Sequence, residues 1–506
     1  MTQRVMMKAW WLIAIVAGGL ATQTASADLR TDIEEILNAS PLQDISIGIS
    51  ITDAETGRTL VSRDENDQFI PASNMKVLTA GAALHVLGPD FRFRTRLIRE
   101  GDDLIFVGDG DPGLGDPKLL DMMQIDGLDG LDVETFMNLW VEAIEDEGIT
   151  EIDRLLVDDR IFDRDFVNET WPVDQLNRWY CAEVAGLNFH LNVLHFFPRP
   201  TNGSRPNISE FAPKAGWLHP TNRATSRTGP RDQATVWIAR QRNTNNLTFY
   251  GNVKSRYTSG NPVRVTFHNP PEFFAGLIAE RLEDSGVNVG EYGVVERDAP
   301  TPSGDADAIG PVIATPISTA LVRCNRDSQN MYAEALLKRI GHEMTGEPGS
   351  WTNGGAIIRH VVHERLDNAA LASRLFVGDG SGMSRHNKIT PALMTAWLNS
   401  FHHDDELEAI FVNSLAEPGG DGTLRRRMRN RDLYSMDVQA KSGYINQVSC
   451  LSGFVTAPDG RRYSFSVLCN DVPRGQTRHA RNIQDDIVEA IAREMSRQTP
   501  AAMGSN

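Results

Sequence analysis

The chain has 506 residues, of which 41% are hydrophobic and 23% are charged. This length and apolar content suit a folded protein of more than one domain and exclude a wholly disordered chain. The formal net charge of −17 argues against the extended basic surface that nucleic acids require, so we expect no nucleic-acid partner.

The N-terminal residues have the pattern of a secretory signal peptide. Arg4 and Lys8 precede an apolar run over residues 9–21, and a small-x-small motif follows at residues 25–27. The run is shorter than the roughly 20 residues that a membrane-spanning helix needs; an uncleaved anchor is the alternative. The pattern predicts a cleaved signal peptide over residues 1–27 and an exported protein, periplasmic or otherwise extracytoplasmic, without a stable membrane anchor.

The next residues predict a β-hairpin followed by a helix. Residues 45–52 alternate between apolar and small or polar side chains, and residues 53–57 supply a turn. The stretch FIPASNMKVLTAGAALHVLG begins extended, turns at Pro71 and continues with apolar residues at helical spacing. We therefore expect a helix over residues 76–87 that ends at the Gly-Pro pair behind it.

Residues 93–305 have a different pattern, with short strands and glycine-rich turns. Residues 235–256 predict another hairpin, and PPEFFAGLIAERLEDSG predicts an amphipathic helix. This segment is typical of a largely β insertion. Residues 28–92 and 306–498 would form one α+β domain around it, and residues 499–506 a polar tail.

The second part of this α+β domain is mostly helical until its last strands. SQN at residues 328–330 precedes a helix with apolar residues at helical spacing, and ITPALMTAWLNSF predicts another helix. KSGYINQVSCLSGFV and RRYSFSVLCND, separated by a turn, predict a final hairpin. A terminal helix is expected over residues 480–497.

Four cysteines and one histidine-rich cluster are the candidates for crosslinks or metal ligands. Cys450 and Cys469 flank the turn of the final hairpin, where they would form either a cross-strand disulfide or two buried free thiols. No Cys/His spacing resembles a zinc site. The cluster HHDDE at residues 402–406 is expected to be the solvated start of a helix, not a metal site.

Ser73 and Lys76 form a Ser-x-x-Lys pattern at the start of the first predicted helix. A serine hydroxyl needs a base within hydrogen-bond reach to act as a nucleophile, and residues three apart share one face of a helix. Backbone N–H groups at the same helix end can stabilise a developing oxyanion. Taken alone, the pattern is more typical of a capped helix with an exposed lysine.

Two further motifs follow along the chain. Ser328-x-Asn330 opens a predicted helix, and Lys441-Ser442-Gly443 begins a predicted strand. Taken singly, they are typical of a helix N-cap and of a polar strand start. In this order, however, Ser-x-x-Lys, Ser-x-Asn and Lys-[Ser/Thr]-Gly resemble the motifs of penicillin-binding proteins and class A β-lactamases.

Within this group the chain is most similar to the class C low-molecular-mass penicillin-binding proteins, the D-alanyl-D-alanine carboxypeptidase/endopeptidase family. The separation between Ser73 and Ser328 is far longer than a β-lactamase needs, and it matches the predicted insertion. Stretches similar to the family include GDGDPGL, DDRIFD, WPVDQLNRWYCAEVAGLNF, VGDGSGMSRHNKITP and EPGGDGTLRRRM. The likeness covers nearly the whole chain after the predicted signal peptide.

The resemblance implies an α+β fold, in which two mostly β domains interrupt a penicillin-binding-protein/β-lactamase-like catalytic domain of antiparallel sheet and helices. It implies a serine peptidase that acts on peptidoglycan stem peptides through an acyl-enzyme and is labelled covalently by β-lactams. No cofactor or metal is implied. The oligomeric state and the balance between carboxypeptidase and endopeptidase activity stay open.

The family's roles can be carried onto the matching residues of the first two motifs. Ser73 would attack the carbonyl between two D-alanines, and Lys76 would accept its proton. Ser328 would relay a proton to the leaving nitrogen. Asn330 would bind the substrate's backbone amide and help to orient Lys76.

The third motif would bind the substrate's terminal carboxylate through Lys441 and Ser442, while Gly443 would let the strand approach the substrate closely. The backbone N–H groups of Ser73 and Tyr444 would form the oxyanion hole. Asp174 matches an acidic position that in relatives contacts the free amine of the stem peptide; a loop cap is the alternative interpretation of this residue.

The chain departs from the family at two places. Ser442 stands where the family usually has Thr, which keeps the hydroxyl, and residues 314–327 lack the usual His-x-Ser-Pro-Pro run. Two other functions also stay open. The long insertion argues against a β-lactamase or esterase of the same superfamily, and the intact motifs argue against a non-catalytic peptidoglycan-binding relative.

Overall fold

The computed structural model describes residues 28–498 except residue 43, residues 126–127 and residues 301–306. The predicted signal peptide and polar tail lie outside the described residues. The described chain is α+β, as predicted, with antiparallel and mixed sheets beside separate helices. Within the described part, no helix combines the length and apolar character that crossing a membrane requires.

Five antiparallel strands form sheet A, which joins the two ends of the chain. The strand Ser46–Asp53 pairs with Arg462–Asn470 on one side and with Thr59–Arg63 on the other, which confirms the first predicted hairpin. The order across the sheet is Asp437–Ile445, Val448–Thr456, Arg462–Asn470, Ser46–Asp53 and Thr59–Arg63.

The end of the chain forms three strands of sheet A where a single hairpin was expected. KSGYINQVSCLSGFV is divided between the strands Asp437–Ile445 and Val448–Thr456, which pair with each other. Gln447, in the tight turn between them, has a left-handed φ of 65°. A polar Asn-Gln pair between apolar residues was too weak a turn signal to separate these strands in the sequence.

Helices cover both faces of sheet A, because alternate residues of a strand point to opposite sides. One face packs on the helix at residues 28–39 and on the terminal helix Thr477–Gln498. The other face packs on a helical layer formed by Met75–Leu87, Ile317–Asn325, Asn330–Thr345, Trp351–Leu366, Pro391–His402 and Glu408–Asn413, with the one-turn helix Ala369–Ala372. The helices expected from each of the four helical patterns in these parts of the chain are confirmed.

The helix Met75–Leu87 lies in the middle of this layer. Every residue from Met75 to Leu84 is buried, so the helix has no solvated face along most of its length. A Cβ on Gly81 would lie 2.7 Å from the Trp397 ring, which shows how closely the neighbouring helix packs. A helix buried on all sides is a rigid support for residues at its N-terminus.

Residues 92–316 contain sheet B, in the order Asn288–Val294, Glu151–Asp158, Asp103–Val107, Arg92–Glu100 and Ile313–Pro316. Its first three strands are parallel neighbours. Parallel strands need long crossover connections, and the helices Val133–Asp146 and Pro270–Ser285, which share the core of this sheet, lie in them. The second of these helices confirms a prediction; the first was not expected.

Smaller sheets complete this part of the chain. The predicted hairpin at residues 235–256 is confirmed, since Trp237–Arg240 pairs antiparallel with Leu247–Tyr250. The boundaries of two inserted domains within residues 93–305 stay a prediction. The remaining elements here are the strands Gln124–Ile125, Leu128–Asp129, Val193–Phe196, Phe211–Ala212, Thr221–Asn222 and Val263–Thr266, the one-turn helix Pro117–Leu120, and the 3-10 turns Val173–Gln175, Trp179–Cys181 and His190–Asn192. A further 3-10 turn, Ala72–Asn74, precedes the helix Met75–Leu87.

The strand register decides between the two interpretations of the cysteines. Cys450 is opposite Leu468, and Cys469 is opposite Ser449. Because the two cysteines are offset by one residue, their side chains point to opposite faces of sheet A. The interpretation as a cross-strand disulfide is therefore wrong. Cys450 and Cys469 are buried free thiols, as are Cys181 and Cys324.

The histidine-rich cluster ends a helix and does not begin one. His402 is the last residue of Pro391–His402, and its ring pairs with Glu408 and Glu55. The expectation of a helix start is therefore wrong. Across the described residues, no group of three or more His, Cys, Asp or Glu side chains is arranged to hold a metal ion.

We expect a reducing agent to leave the thermal unfolding midpoint unchanged, because no disulfide restrains the chain. A thiol-reactive dye should label the native protein hardly at all, since the four thiols are buried, and label all of them after denaturation. A midpoint that falls on reduction would contradict the strand register.

Candidate active site

Ser73 lies in the 3-10 turn Ala72–Asn74, immediately before the buried helix Met75–Leu87. The chain enters this turn from Phe69, which is bridged to Ile389. Ala72 has a left-handed φ of 46°, a conformation that costs free energy for a residue with a Cβ and that persists only where the surroundings enforce it. The turn thus presents Ser73 at the end of the helix, against sheet A.

Lys76 is fully buried, and its amine is the centre of the site. Its Nζ lies 3.2 Å from Ser73 Oγ, 2.7 Å from Asn330 Oδ1 and 2.7 Å from the carbonyl oxygen of Ser381. These three partners come from three separate segments of the chain. The structure therefore brings the Ser-x-x-Lys and Ser-x-Asn motifs together at one nitrogen atom.

Burial lowers the pKa of Lys76 to about 8, because the charged amine loses its hydration in the protein interior. The negative charges of Glu334 and Asp379 act in the opposite direction. The loss of hydration is the larger effect, so about one tenth of Lys76 is neutral at pH 7, far more than of a lysine with an ordinary pKa.

The second motif spans the approach to the helix Asn330–Thr345. Ser328 has a left-handed φ of 59°, and Asn330 is the first helical residue. While Asn330 Oδ1 accepts from Lys76, Asn330 Nδ2 donates to the carbonyl of Tyr180 at 2.7 Å. Both ends of the amide are thereby held, which fixes the orientation of Asn330.

Lys441 lies on Asp437–Ile445, an edge strand of sheet A, and connects the third motif to the second. Its Nζ donates to Ser328 Oγ at 2.9 Å and to the carbonyl of Ser442 at 2.7 Å. The side chain is fully buried. Burial and the positive charge of Lys76 hold the pKa of Lys441 well below its usual range.

Gly443 lets this strand lie directly against the turn that carries Ser73. A Cβ at position 443 would lie 2.8 Å from the Pro71 carbonyl oxygen and 3.0 Å from the backbone nitrogen of Ser73. No larger residue fits without moving one of the two segments. The backbone N–H groups of Ser73 and Tyr444 consequently lie on neighbouring pieces of chain.

A cleft of about 610 Å³ opens beside these residues. Ser73 and Ser328 line it together with Ser442, Gly443 and Tyr444, whereas the two lysines lie buried behind it. The Tyr444 side chain is half exposed. The arrangement places a hydroxyl with an adjacent buried amine at the floor of an open cleft, which is the arrangement that serine acyl transfer requires.

Asp174 is not brought into this arrangement. It is an exposed residue of the short 3-10 turn Val173–Gln175, and it does not line the cleft beside Ser73. The turn begins after Pro172, so Asp174 is not its N-cap either. The contact with the site in this part of the chain comes from Tyr180, whose backbone carbonyl accepts a hydrogen bond from Asn330.

The loop at residues 379–382, DGSG in the sequence, supplies a contact that sequence reasoning missed. Glu334 is fully buried and accepts from the backbone N–H groups of Gly380 and Ser381, both at 2.8 Å. Asp379 accepts from Gly382 N–H at 2.8 Å. These carboxylates hold the loop so that the Ser381 carbonyl faces Lys76. Burial raises the pKa of Glu334 to about 7.

Gly382 is the point where this loop touches the turn carrying Ser73. Its φ is +85°, and a Cβ there would lie 1.7 Å from the carbonyl oxygen of Ala72. The only signal in the sequence was the Asp-Gly-Ser-Gly composition, which indicates a tight turn but does not reveal what the turn contacts.

Comparisons with known proteins find relatives along nearly the whole described chain. The sequence profile of the D-Ala-D-Ala carboxypeptidase 3 (S13) family matches residues 29–494. A D-alanyl-D-alanine carboxypeptidase of Actinomadura sp. (strain R39) is 30% identical over 94% of this chain and 86% of that protein. The D-alanyl-D-alanine carboxypeptidase DacB of Haemophilus influenzae is 23% identical over 80% of this chain and 81% of that protein.

Among solved structures, penicillin binding protein 4 (dacB) from Haemophilus influenzae is similar to this chain. It has a TM-score of 0.71 at 19% sequence identity and covers 92% of this chain and 99% of that chain. At this identity the likeness shows a common fold.

We expect Gly382→Ala to destabilise the protein by roughly 3 kcal/mol or more, because the new methyl group would overlap the Ala72 carbonyl. Gly460→Ala is the matched control, since Gly460 has a φ of +89° with nothing within 4 Å of an added Cβ. Its cost should be backbone strain alone, about 1–2 kcal/mol. Equal unfolding free energies of the two variants in denaturant titrations would show that the loop does not press on the turn.

Proposed function

The chain belongs to the D-Ala-D-Ala carboxypeptidase 3 (S13) family, and from this premise we propose that it is a serine-type D-alanyl-D-alanine carboxypeptidase of peptidoglycan stem peptides. The observation that carries the proposal is the position of the Lys76 amine, in hydrogen-bond contact with both Ser73 Oγ and Asn330 Oδ1. A nucleophile and its neighbouring base are thereby joined to Asn330, a residue from a distant part of the chain that holds the amine in place.

Acylation begins with Ser73. Neutral Lys76 accepts the Ser73 hydroxyl proton while Oγ attacks the carbonyl carbon between the two D-alanines. The developing oxyanion is stabilised by the backbone N–H groups of Ser73 and Tyr444. The close approach of Gly443 to the Ser73 turn supports this pairing of donors.

Departure of D-alanine requires a proton on its nitrogen. Ser328 is suited to deliver it, because its Oγ lies 2.9 Å from Lys441 Nζ and opens on the same cleft as Ser73. The proton comes from the lysines behind the cleft and passes through the Ser328 hydroxyl. The acyl-enzyme on Ser73 is then hydrolysed by water.

Lys441, Ser442 and Asn330 hold the substrate. When protonated, Lys441 provides a buried positive field beside Ser442, whose hydroxyl binds the terminal carboxylate. Asn330 binds the backbone amide while it orients Lys76. A β-lactam presents the same carbonyl and carboxylate, so it acylates Ser73 in place of the peptide. Asp174 has no part in this proposal, because it is exposed and does not line the cleft.

The proposed substrate lies outside the cytoplasm. The relatives are named for D-alanyl-D-alanine, which ends the stem peptides of the cell wall, and the pattern of residues 1–27 supports export through a cleaved signal peptide. A periplasmic location follows if the cell has an outer membrane.

We expect Ser73→Ala to abolish both D-alanine release from a stem pentapeptide and covalent labelling by fluorescent penicillin, because the Ser73 hydroxyl oxygen is the atom that forms the proposed acyl bond. Ser373→Ala, at an exposed serine that does not line the cleft, is the control and should retain both activities. Mass analysis of muropeptides after digestion reads out the loss of one alanine. Labelling of the Ser73→Ala variant would show that another residue is the nucleophile.

The rate of acylation should rise with pH through about 8 and then level off. Lys76 acts as a base only when neutral, and at pH 7 only about one tenth of an amine with a pKa near 8 is neutral. The measurement is the second-order rate constant for penicillin labelling between about pH 6 and 9.

Lys76→Arg is the partner variant for this profile, because arginine stays charged over the whole range. It should acylate slower by orders of magnitude, without a comparable rise with pH. A pH-independent wild-type rate, or near-normal labelling of Lys76→Arg, would remove Lys76 as the base.

A further inference from the structure

The wall of the cleft beyond Ser442 is rich in arginine. The arginines that line it are Arg425, Arg426, Arg427, Arg478 and Arg481, and the lining contains one carboxylate, that of Asp485. The chain as a whole has a net charge of −17. Positive charge is therefore concentrated at the mouth of the site in an otherwise acidic protein.

Most of this positive charge is not neutralised within the protein. Arg427 Nε bonds to Asp485 Oδ1 at 3.0 Å, so the single carboxylate of the cleft is already paired. Among the described residues, Arg425, Arg426, Arg478 and Arg481 have no acidic side chain within ion-pair distance, and all four are exposed.

Arg478 and Arg481 are also unfavourably placed for the stability of their own helix. Both lie near the start of Thr477–Gln498, whose first turn contains no acidic residue. The N-terminal end of a helix dipole is positive and disfavours cations. The combined field of the helix end and the two guanidinium groups instead favours an anion in the cleft.

Arg481 is held beside the strand that carries the third motif. Its guanidinium lies over the Tyr444 ring, 5.6 Å from the ring centroid. Tyr444 directly follows Gly443 in the strand Asp437–Ile445. This stacking links the arginine-rich wall to the residues that are proposed to bind the terminal carboxylate.

The direction of the substrate places its leaving group against this wall. In the proposed reaction the leaving nitrogen lies at Ser328 and the adjacent carboxylate at Ser442, and both residues open on the cleft that the arginines line. A side chain on the α-carbon of the leaving group therefore lies in the cleft that the arginines line, whereas the acyl carbon is bonded to Ser73 Oγ.

We propose that Arg425, Arg426, Arg478 and Arg481 form a leaving-group subsite for carboxylates, so that the enzyme favours leaving groups with more than one carboxylate. The proposal rests on the proposed function. A single D-alanine presents one carboxylate, which Lys441 and Ser442 take. A leaving group that is itself part of a second stem peptide presents further carboxylates, which guanidinium groups bind in charge-assisted pairs.

Matched synthetic peptides separate charge from size. An N-acylated tripeptide that ends in D-Ala-D-Glu is compared with one that ends in D-Ala-D-Gln, which is nearly the same in shape but lacks the second carboxylate. We expect kcat/KM to be about fivefold higher for the D-Glu peptide at low salt, as for one or two exposed ion pairs. The preference should fall towards one at about 1 M salt.

The double variant Arg426→Gln/Arg481→Gln should reduce the D-Glu preference to near one. The control is Arg359→Gln, at an exposed arginine of the helix Trp351–Leu366, which should keep the wild-type preference. Covalent penicillin labelling checks that each variant retains a folded site.

Several results would overturn the subsite. They are a wild-type preference near one, a preference that salt does not reduce, and a preference that survives in the double variant. If the double variant fails to fold, the salt dependence of the wild-type preference decides alone. Failure of the proposed function is distinct, because it would appear as a wild-type protein that neither releases D-alanine nor binds penicillin.

Discussion

The site depends on the burial of one amine. Lys76 is removed from water by the helix that carries it and by the segments that supply its three hydrogen-bond partners. Removal of a charged amine from water is costly unless its partners compensate for the loss of hydration. The positions of Asn330 and of the Ser381 carbonyl are therefore requirements of the fold as well as of the chemistry.

The same amine is subject to opposing influences that together set its protonation. Burial favours the neutral form, while Glu334 and Asp379 favour the charged form. The two carboxylates are present for a structural reason, since they accept backbone N–H bonds from the loop at residues 379–382. The resulting pKa of about 8 is a compromise between loop geometry and basicity.

The two types of cation in this protein are arranged differently. The lysines at the site are buried and fixed by hydrogen bonds, which suits groups that exchange protons. The arginines of the cleft wall are exposed and stay charged at any physiological pH, which suits groups that bind carboxylates. The boundary between them runs along the strand with Ser442 and Gly443, where the proposed scissile bond would lie.

The sequence alone was sufficient for much of this description. Local periodicity predicted the hairpin at residues 45–63 and the helix over residues 76–87, because both patterns depend on neighbouring residues. The order of the three motifs indicated the family and its characteristic residues. These are properties that a linear pattern can carry, since each motif is short and keeps its identity wherever it is placed.

Only the tertiary structure decided the rest. The strand register offsets Cys450 from Cys469 by one residue, so their side chains lie on opposite faces of sheet A. The sequences of the two strands do not reveal this offset. The contact of Lys76 with the Ser381 carbonyl, and the arginines from two segments that meet at one cleft, join residues far apart in the chain. Such meetings are set by packing of the whole domain, which no local pattern encodes.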